Sequence, residues 1–508
     1  MRSQLKIDTL NRLSLGEKYF FTQTTQEDSS KREGVWHFEK RNKENYEKAI
    51  NAFDKHVNKY DDPEAKIYLN NAKFLKKYIN TISPIIELPI IAVSVPIQKN
   101  VTISREILRG VAHAQDDVWK CISEPKQCPD SRKQFPFLVM LASDDNDPEV
   151  AKRIAEYLVH GEDTLFPLLP ETVREFVDNL EIGVTKRDRV IAVVGHNASD
   201  VTKSVMPIYQ NKMVMISPTS TTLSADDVKV KAKDNFTYLI SYSNKDLATN
   251  LINHLKPKEG SKLLYCHDKK VDKAKLEEGF KKVIGSADTK CVFKEDEVDS
   301  VFEKLGDEVT HILLAPHAST ITDSIFIARE NNKEENKKVK RELLGTATLY
   351  SKEVSEAKEE SFVGMTLAIS WHQEWEPEDK KISEKIRNFA KAANSKWHYE
   401  PGSVESLMNI TWRTAAAYDA TKLISISLNK ILDLQAKDTN FEDKTIPIPS
   451  QSELQHKIVE SLPFEGVTGK IEFDDYGIRT KGSGELPSIL LHITKGNEES
   501  YKFELLKE

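Results

Sequence analysis

The stretch Asp188–Ser224, DRVIAVVGHNASDVTKSVMPIYQNKMVMISPTSTTLS, constrains the fold of this chain more than any other. Val190–Val194 is an apolar, mostly β-branched run, the pattern of a parallel strand buried on both faces, and Val214–Ile216 is a second. Between them Ser199 and Asp200 are suited to cap a helix running to about Tyr209. Strand, loop, helix, strand, loop in so short a span predicts a parallel α/β sheet. The loops Gly195–Ser199 and Ser217–Thr221 both follow carboxyl ends of strands, the edge at which open α/β sheets bind ligands. Gly195 lets backbone approach a ligand closely, and hydroxyls beside the free N–H groups of a helix start suit a carboxylate. In outline this is a small-molecule site.

At 508 residues the chain has room for about three domain-sized units and a large core. A formal charge of −7 with 30% charged residues describes an ordinary soluble surface, and no basic stripe with interleaved aromatics points to nucleic acid. Lysine-rich Asn331–Arg341 alternates with acids and reads as a solvated helix face or loop. No apolar stretch approaches the ~20 residues that span a bilayer, and MRSQLKIDTLNRL has neither an apolar signal region nor a cleavage site. The chain as given therefore reads as soluble and unexported.

VVGHNASDVTKSVMPIYQNKMVMISPTSTT resembles the signature of the type I periplasmic binding proteins, the branched-chain amino acid binding family that includes receptor ligand-binding regions. Ala92–Gly110, Leu141–Val159, Thr411–Leu423 and Phe464–Arg479 are similar to further parts of that family, so the resemblance runs roughly from Pro89 to Lys507. It implies an α/β fold of two lobes, each a parallel sheet flanked by helices, with three crossing strands and a ligand cleft between. Residues 86–243 and 346–465 would form lobe one, and 244–345 with 466–508 lobe two. Hinges are expected near Tyr242–Asn244, Gly345–Ala347 and Phe464–Gly466. Ahead of the lobes, residues 1–30 read as a partly ordered lead. Gly34, Trp36, Phe38, Tyr46, Ala49, Phe53, Pro63, Ala65 and Tyr68 then resemble a tetratricopeptide repeat and the first helix of another. Such helices, over about 32–41, 43–58 and 63–79 within the segment 31–80, either pack on the body of the chain or offer a groove to a protein partner. Asp116–Pro136 and His160–Arg187 are insertions relative to the family, the second carrying an extra amphipathic helix.

Cys121 and Cys128 lie in a polar, proline-containing loop that a disulfide would staple, and the family works in oxidising surroundings. Cys266 and Cys291 sit in the apolar runs LLYC and CVF and read as buried thiols. Without a second cysteine pair at ligand spacing, no zinc site is expected.

Carried onto matching positions, the resemblance makes Ser199 a hydroxyl donor to a ligand carboxylate. Thr219 would act through its backbone, and Thr221 through hydroxyl and N–H. Asn197 and His317 complete the expected ligand-binding set. The second lobe departs from the pattern: Ala347 stands where amino-acid binders place an acid, no tyrosine follows LLYCH, and His317 replaces an aromatic after HILLA. An ammonium buried without a counter-charge would cost several kcal/mol. Either another acid serves, or the ligand lacks the ammonium, or the pocket has lost its ligand. His196, His267 and His317 each follow a strand end and read as independent loop histidines rather than as metal ligands. In Asp144–Glu149 the acids read as a helix start capped by Asp147, not as a calcium loop.

No cofactor, metal or catalytic constellation is expected, since GHNAS lacks the second glycine of a nucleophile elbow. The expected function is an extracytoplasmic solute-binding protein or sensor for an amino-acid-like or carboxylate ligand, with a membrane permease or signalling partner. An interaction protein that keeps the fold around a degenerate pocket is the alternative. The resemblance implies work outside the cytoplasm, the chain then starting downstream of a removed signal or anchor.

Overall fold

The computed structural model describes residues 7–22, 29–78, 88–128, 134–160, 190–221, 223–255, 257–268, 284–333, 336, 339, 341–356, 360–438, 448–480, 489–495 and 501–506. Two sheets organise it. The first holds β1 (Leu13–Ser14), β2 (Ile90–Val95), β3 (Leu138–Ser143), β4 (Val190–Val194), β5 (Val214–Ser217) and β6 (Thr237–Leu239), in the order β1-β3-β2-β4-β5-β6. All neighbours are parallel except β1, which runs antiparallel to β3 with Leu13 opposite Ala142. Every residue of β2, β3, β4 and β5 is buried, which explains unbroken apolar runs where a half-exposed strand would alternate.

Three helices lie between β1 and β2: α1 (Ser29–Glu39), α2 (Lys43–Val57) and α3 (Pro63–Tyr78). Pro63 takes the first helical position, where its missing N–H is no loss. The helices pack in series and α3 packs on the sheet, not on solvent. Asn71 of α3 donates to Leu15 O at 2.7 Å and Val139 O at 2.8 Å and accepts from Val139 N and from Gln115 Nε2. One buried amide thus joins the lead, β3 and the next helix with all its capacity used. Lys31 is fully buried, with Nζ 2.6 Å from Asp62 and 2.7 Å from Glu64. Burial alone would pull its ammonium down, but the two carboxylates more than offset that and hold its pKa up. Glu64 also accepts from the amides of Phe20 and Phe21, so residues expected to be a loose lead are tied in.

Helix α4 (Val101–Ser123), capped by Asn100, crosses the long helix Trp412–Asp438 so closely that a Cβ on Gly110 would lie 2.1 Å from Thr414 O. Helix α5 (Pro148–His160) starts as the sequence predicts, with Asp147 Oδ1 accepting from the amides of Glu149 and Val150. Helix α6 (Ser199–Tyr209) joins β4 to β5, and α7 (Asn244–Leu255) leads into the second sheet.

That sheet holds β7 (Lys262–His267), β8 (Gly285–Ser286), β9 (Cys291–Val292), β10 (Val309–Ala315), β11 (Glu342–Gly345) and β12 (Thr366–Ile369). After a separate hairpin, β13 (Phe464–Gly466) with β14 (Gly469–Ile471), come β15 (Ile489–Lys495) and β16 (Tyr501–Leu505). Its order is β16-β15-β12-β11-β10-β7-β8, with β9 also on β7.

This topology corrects several expectations. The chain does not return to lobe one at 346: β12 pairs in parallel with β11 inside the second sheet, so the crossing follows Ile369. Nor does lobe two resume at 466. Asp419 of the long helix accepts from the amides of Val467 and Thr468, and Leu239 bridges Ile478, so the hairpin and the chain beyond it stay with lobe one up to Thr480. The lead contains β1 with buried Leu13, Leu15 and Phe21. Cys266 and Cys291 are not thiols but are bonded at 1.99 Å, because parallel pairing of β7 with β9 sets them opposite each other. Cys121 and Cys128 are bonded at 2.11 Å. The amphipathic helix expected within 160–187 lies outside the described residues.

Candidate functional site

The loops after β4, β5, β10 and β11 meet at one cavity of about 80 Å³. Asn197, Ser199, Thr219, Thr221 and His317, predicted from different parts of the chain, all line it, and so does Ala347.

On the lobe-one side the first loop is held from beneath. Gly195 has φ +143°, and a Cβ there would lie 2.5 Å from Ser94 O, so the position requires glycine. His196 turns away from the cavity. It is fully buried, with Nδ1 2.6 Å from Asp144 Oδ2 and Nε2 3.4 Å from the Tyr209 hydroxyl. Burial, reinforced by the Asp144 charge, pushes the Tyr209 phenol well above its usual range, so it stays neutral. The His196 carbonyl accepts from Ser217 Oγ at 2.9 Å and Thr202 Oγ1 at 3.2 Å, and Ser220 Oγ joins those two hydroxyls. His196, read from the sequence as an independent loop histidine after a strand end, is therefore an anchor for the loop.

Helix α6 begins at Ser199 with Ala198 as its N-cap and no side-chain cap, which corrects the reading of Ser199 and Asp200 as the cap. Ala198, Ser199 and Asp200 at its start line the cavity, where the positive helix end favours an anion. Thr219 Oγ1 is occupied, donating to Asn197 O at 2.9 Å, so its side chain ties the two loops together. The Thr221 carbonyl accepts from the amide of Asn244, the first residue of α7, at 2.6 Å.

From lobe two, His317 is only 8% exposed. Its Nδ1 accepts from the Ser319 amide at 3.3 Å, which places the neutral ring's proton on Nε2. That nitrogen has no hydrogen-bond partner and lies 3.7 Å from Asp200 Oδ1 across the cleft. His267 instead lies with Nδ1 2.9 Å from the Asp268 carbonyl, and no group of histidines, cysteines and acids among the described residues could hold a metal ion.

Two lining residues escaped the sequence reading. Asp200 is the acid at the cavity among its described lining residues, and Arg413 is its guanidinium. Arg413 Nη1 donates to Glu106 Oε2 and to Tyr350 O, both at 3.0 Å, and its plane lies 4.7 Å over the Trp412 ring. Burial pushes the fully enclosed Glu106 carboxyl up, and Arg413 with Thr411 partly restores it. The signal for Arg413 was a basic residue opening a long apolar helix; the signal for Asp200 was an acid in the first turn beside Ser199.

No family model matches this chain, and no curated protein matches it. Solved structures do. A leucine-binding protein of Thermotoga maritima is similar at 14% identity and TM-score 0.57, over 82% of this chain and 98% of that one. A branched-chain amino acid transporter substrate-binding protein of Streptococcus pneumoniae, in complex with isoleucine, is similar at 15% and 0.56, over 83% and 100%. An ABC transporter solute-binding protein of Rhodopseudomonas palustris, in complex with p-hydroxybenzoic acid, is similar at 13% and 0.56, over 83% and 96%. At such identities the likeness shows the fold, and the fold is the two-lobe α/β architecture of the type I periplasmic binding proteins. No helix among the described residues is long and apolar enough to cross a membrane.

Proposed function

We propose that this chain is a solute-binding protein or sensor module that holds a small amino-acid-like or carboxylate ligand between its lobes and closes on it. The observation that carries this reading is the meeting of Ser199, Thr221 and the uncapped start of α6 with His317 of the other lobe around one cavity. Hydroxyls and helix amides bind a carboxylate without an unpaired buried cation. Asp200 supplies the acid that Ala347 does not, so an ammonium has a counter-charge in lobe one rather than lobe two. Arg413 is already engaged by Glu106 and acts as a strut between the lobes, reaching Tyr350 O.

Neighbours of the same fold that carry leucine, isoleucine or p-hydroxybenzoic acid in their names support a small carboxylate, and an extracytoplasmic place with a permease or signalling partner goes with that role. The two disulfides suit an oxidising compartment. The tetratricopeptide likeness remains a likeness of helix spacing, and a protein partner for those helices gets no support from the comparisons. The interaction-protein alternative is favoured by the small cavity. Calorimetry of the full chain against the common amino acids and simple carboxylates decides between them: saturable binding abolished by Thr221→Ala supports the site, and no heat with any compound supports the alternative.

A further inference from the structure

His317 and Ala318 line a second and larger space as well. About 560 Å³ in volume, it is walled by Arg12, Lys99, Asn100 and Asp145 from lobe one and by Ser319 and Glu353 from lobe two. Asn100 Nδ2 donates to Ala318 O at 3.2 Å, bridging the lobes where the two spaces adjoin. Small-molecule pockets run from about 300 to 1,000 Å³, so the outer space falls within that range and the inner one, at about 80 Å³, well below it. Most of a ligand's bulk therefore belongs outside His317.

The charges there do not cancel completely. Arg12 is committed to Asp145 at 2.6 Å, and Asp147 is spent on the amides that start α5. Lys99 is exposed on the rim, where water screens it. Glu353 differs: its Oε2 is buried and accepts no hydrogen bond. His317 Nε2, nine-tenths buried and also without a hydrogen-bond partner, stands between the two spaces. A carboxylate oxygen lacking a donor and an imidazole N–H lacking an acceptor are complementary to a ligand with an ammonium at its far end and a carbonyl midway.

We propose that the cleft takes an extended molecule with a carboxylate at one end and a primary ammonium at the other, a short peptide, rather than a single amino acid. The carboxylate sits at Ser199 and Thr221, a backbone carbonyl accepts from His317 Nε2, and the ammonium meets Glu353. This rests on the carboxylate reading of the inner cavity.

Calorimetry on the full chain with alanine, leucine, trialanine and N-acetyl-trialanine tests it, repeated with Glu353→Gln and Thr221→Ala. Trialanine should bind more than tenfold tighter than either amino acid, and acetylation or Glu353→Gln should each remove about tenfold, or about 1.4 kcal/mol. Glu353→Gln should leave amino-acid binding and the melting temperature unchanged. Leucine or alanine binding as tightly as trialanine, or trialanine indifferent to both acetylation and Glu353→Gln, overturns the peptide assignment. Amino-acid binding that still depends on Thr221 would then leave the inner site standing. Absence of binding by all four compounds overturns both.

Discussion

Nε2 of His317 in the second lobe lies 3.7 Å from Oδ1 of Asp200 in the first, so the one acid among the described lining residues of the inner cavity faces the imidazole of the opposite wall. A ligand ammonium would pair with the Asp200 carboxylate and not with the His317 Nε2–H, which can only donate. Asp200→Asn should therefore weaken α-amino acids by about 1–3 kcal/mol, the scale of a hydrogen bond to a charged group, while leaving the matching des-amino carboxylates within about twofold. Calorimetry with leucine and 4-methylpentanoate reads the difference; equal losses for both compounds would assign Asp200 to folding of the loop instead.

Ser199→Ala and Thr221→Ala should each cost any carboxylate ligand about 1–3 kcal/mol with little change in melting temperature. Thr219→Val should behave differently. Its hydroxyl holds Asn197, so the melting temperature should fall together with affinity. Thermal denaturation run beside titration separates the two patterns.

Acid should destabilise the protein well before its carboxylates titrate. His113 is buried against Phe389 and Tyr418, with Lys396, Asp116 and Asp117 nearby, and burial aided by the Lys396 charge holds its pKa down to about 3; burial holds His372 down to about 4. Both folded values lie below the ordinary 6.5, so between pH 6.5 and those values the unfolded chain binds more protons than the native one. Stability is full above about 6.5 and falls as pH drops through that window, by about 1.4 kcal/mol per pH unit for each histidine. His113→Phe should flatten the dependence of melting temperature on pH between about 7 and 4.5 by roughly one proton's worth. An unchanged slope would mean that His113 is protonated in the fold.

With both bridges formed, the unfolded and unreduced protein should label at none of its four cysteines, and at all four after reduction. Mass spectrometry of the alkylated chain counts them; two labels would leave one bridge unmade.

Gly110→Ala should destabilise by about 1–3 kcal/mol, because the new methyl meets Thr414 O and Tyr418 N of the facing helix rather than a yielding side chain. Urea unfolding gives the value, and ligand affinity should fall only as far as the two helices separate.

What the sequence made legible was local. β4, β5, β10 and the helices α4 to α6 follow from apolar runs and helical spacing, and the loops that close the inner cavity lie where strands end. What it hid depends on partners distant in the chain. Thr366–Ile369 is a plain apolar run whose sheet is decided by pairing with β11, and Leu13–Ser14 is too short to show a period before β3 supplies its other half. Cys266 and Cys291 look like core thiols because the register of β7 and β9 cannot be read from either strand alone. His196 and Arg413 have the residue types of a functional site, but burial against Asp144 and Glu106 gives them structural duties.

Asn71 and the Lys31 network weld the N-terminal helices, β1 and β3 into a single block with lobe one. That block is the stator of any cleft closure, and lobe two is the rotor. An attachment at the N-terminal helices would hold the wall bearing Ser199 and Thr221 still, and the imidazole-bearing wall would then be the part whose swing an observer fixed to the N-terminus sees.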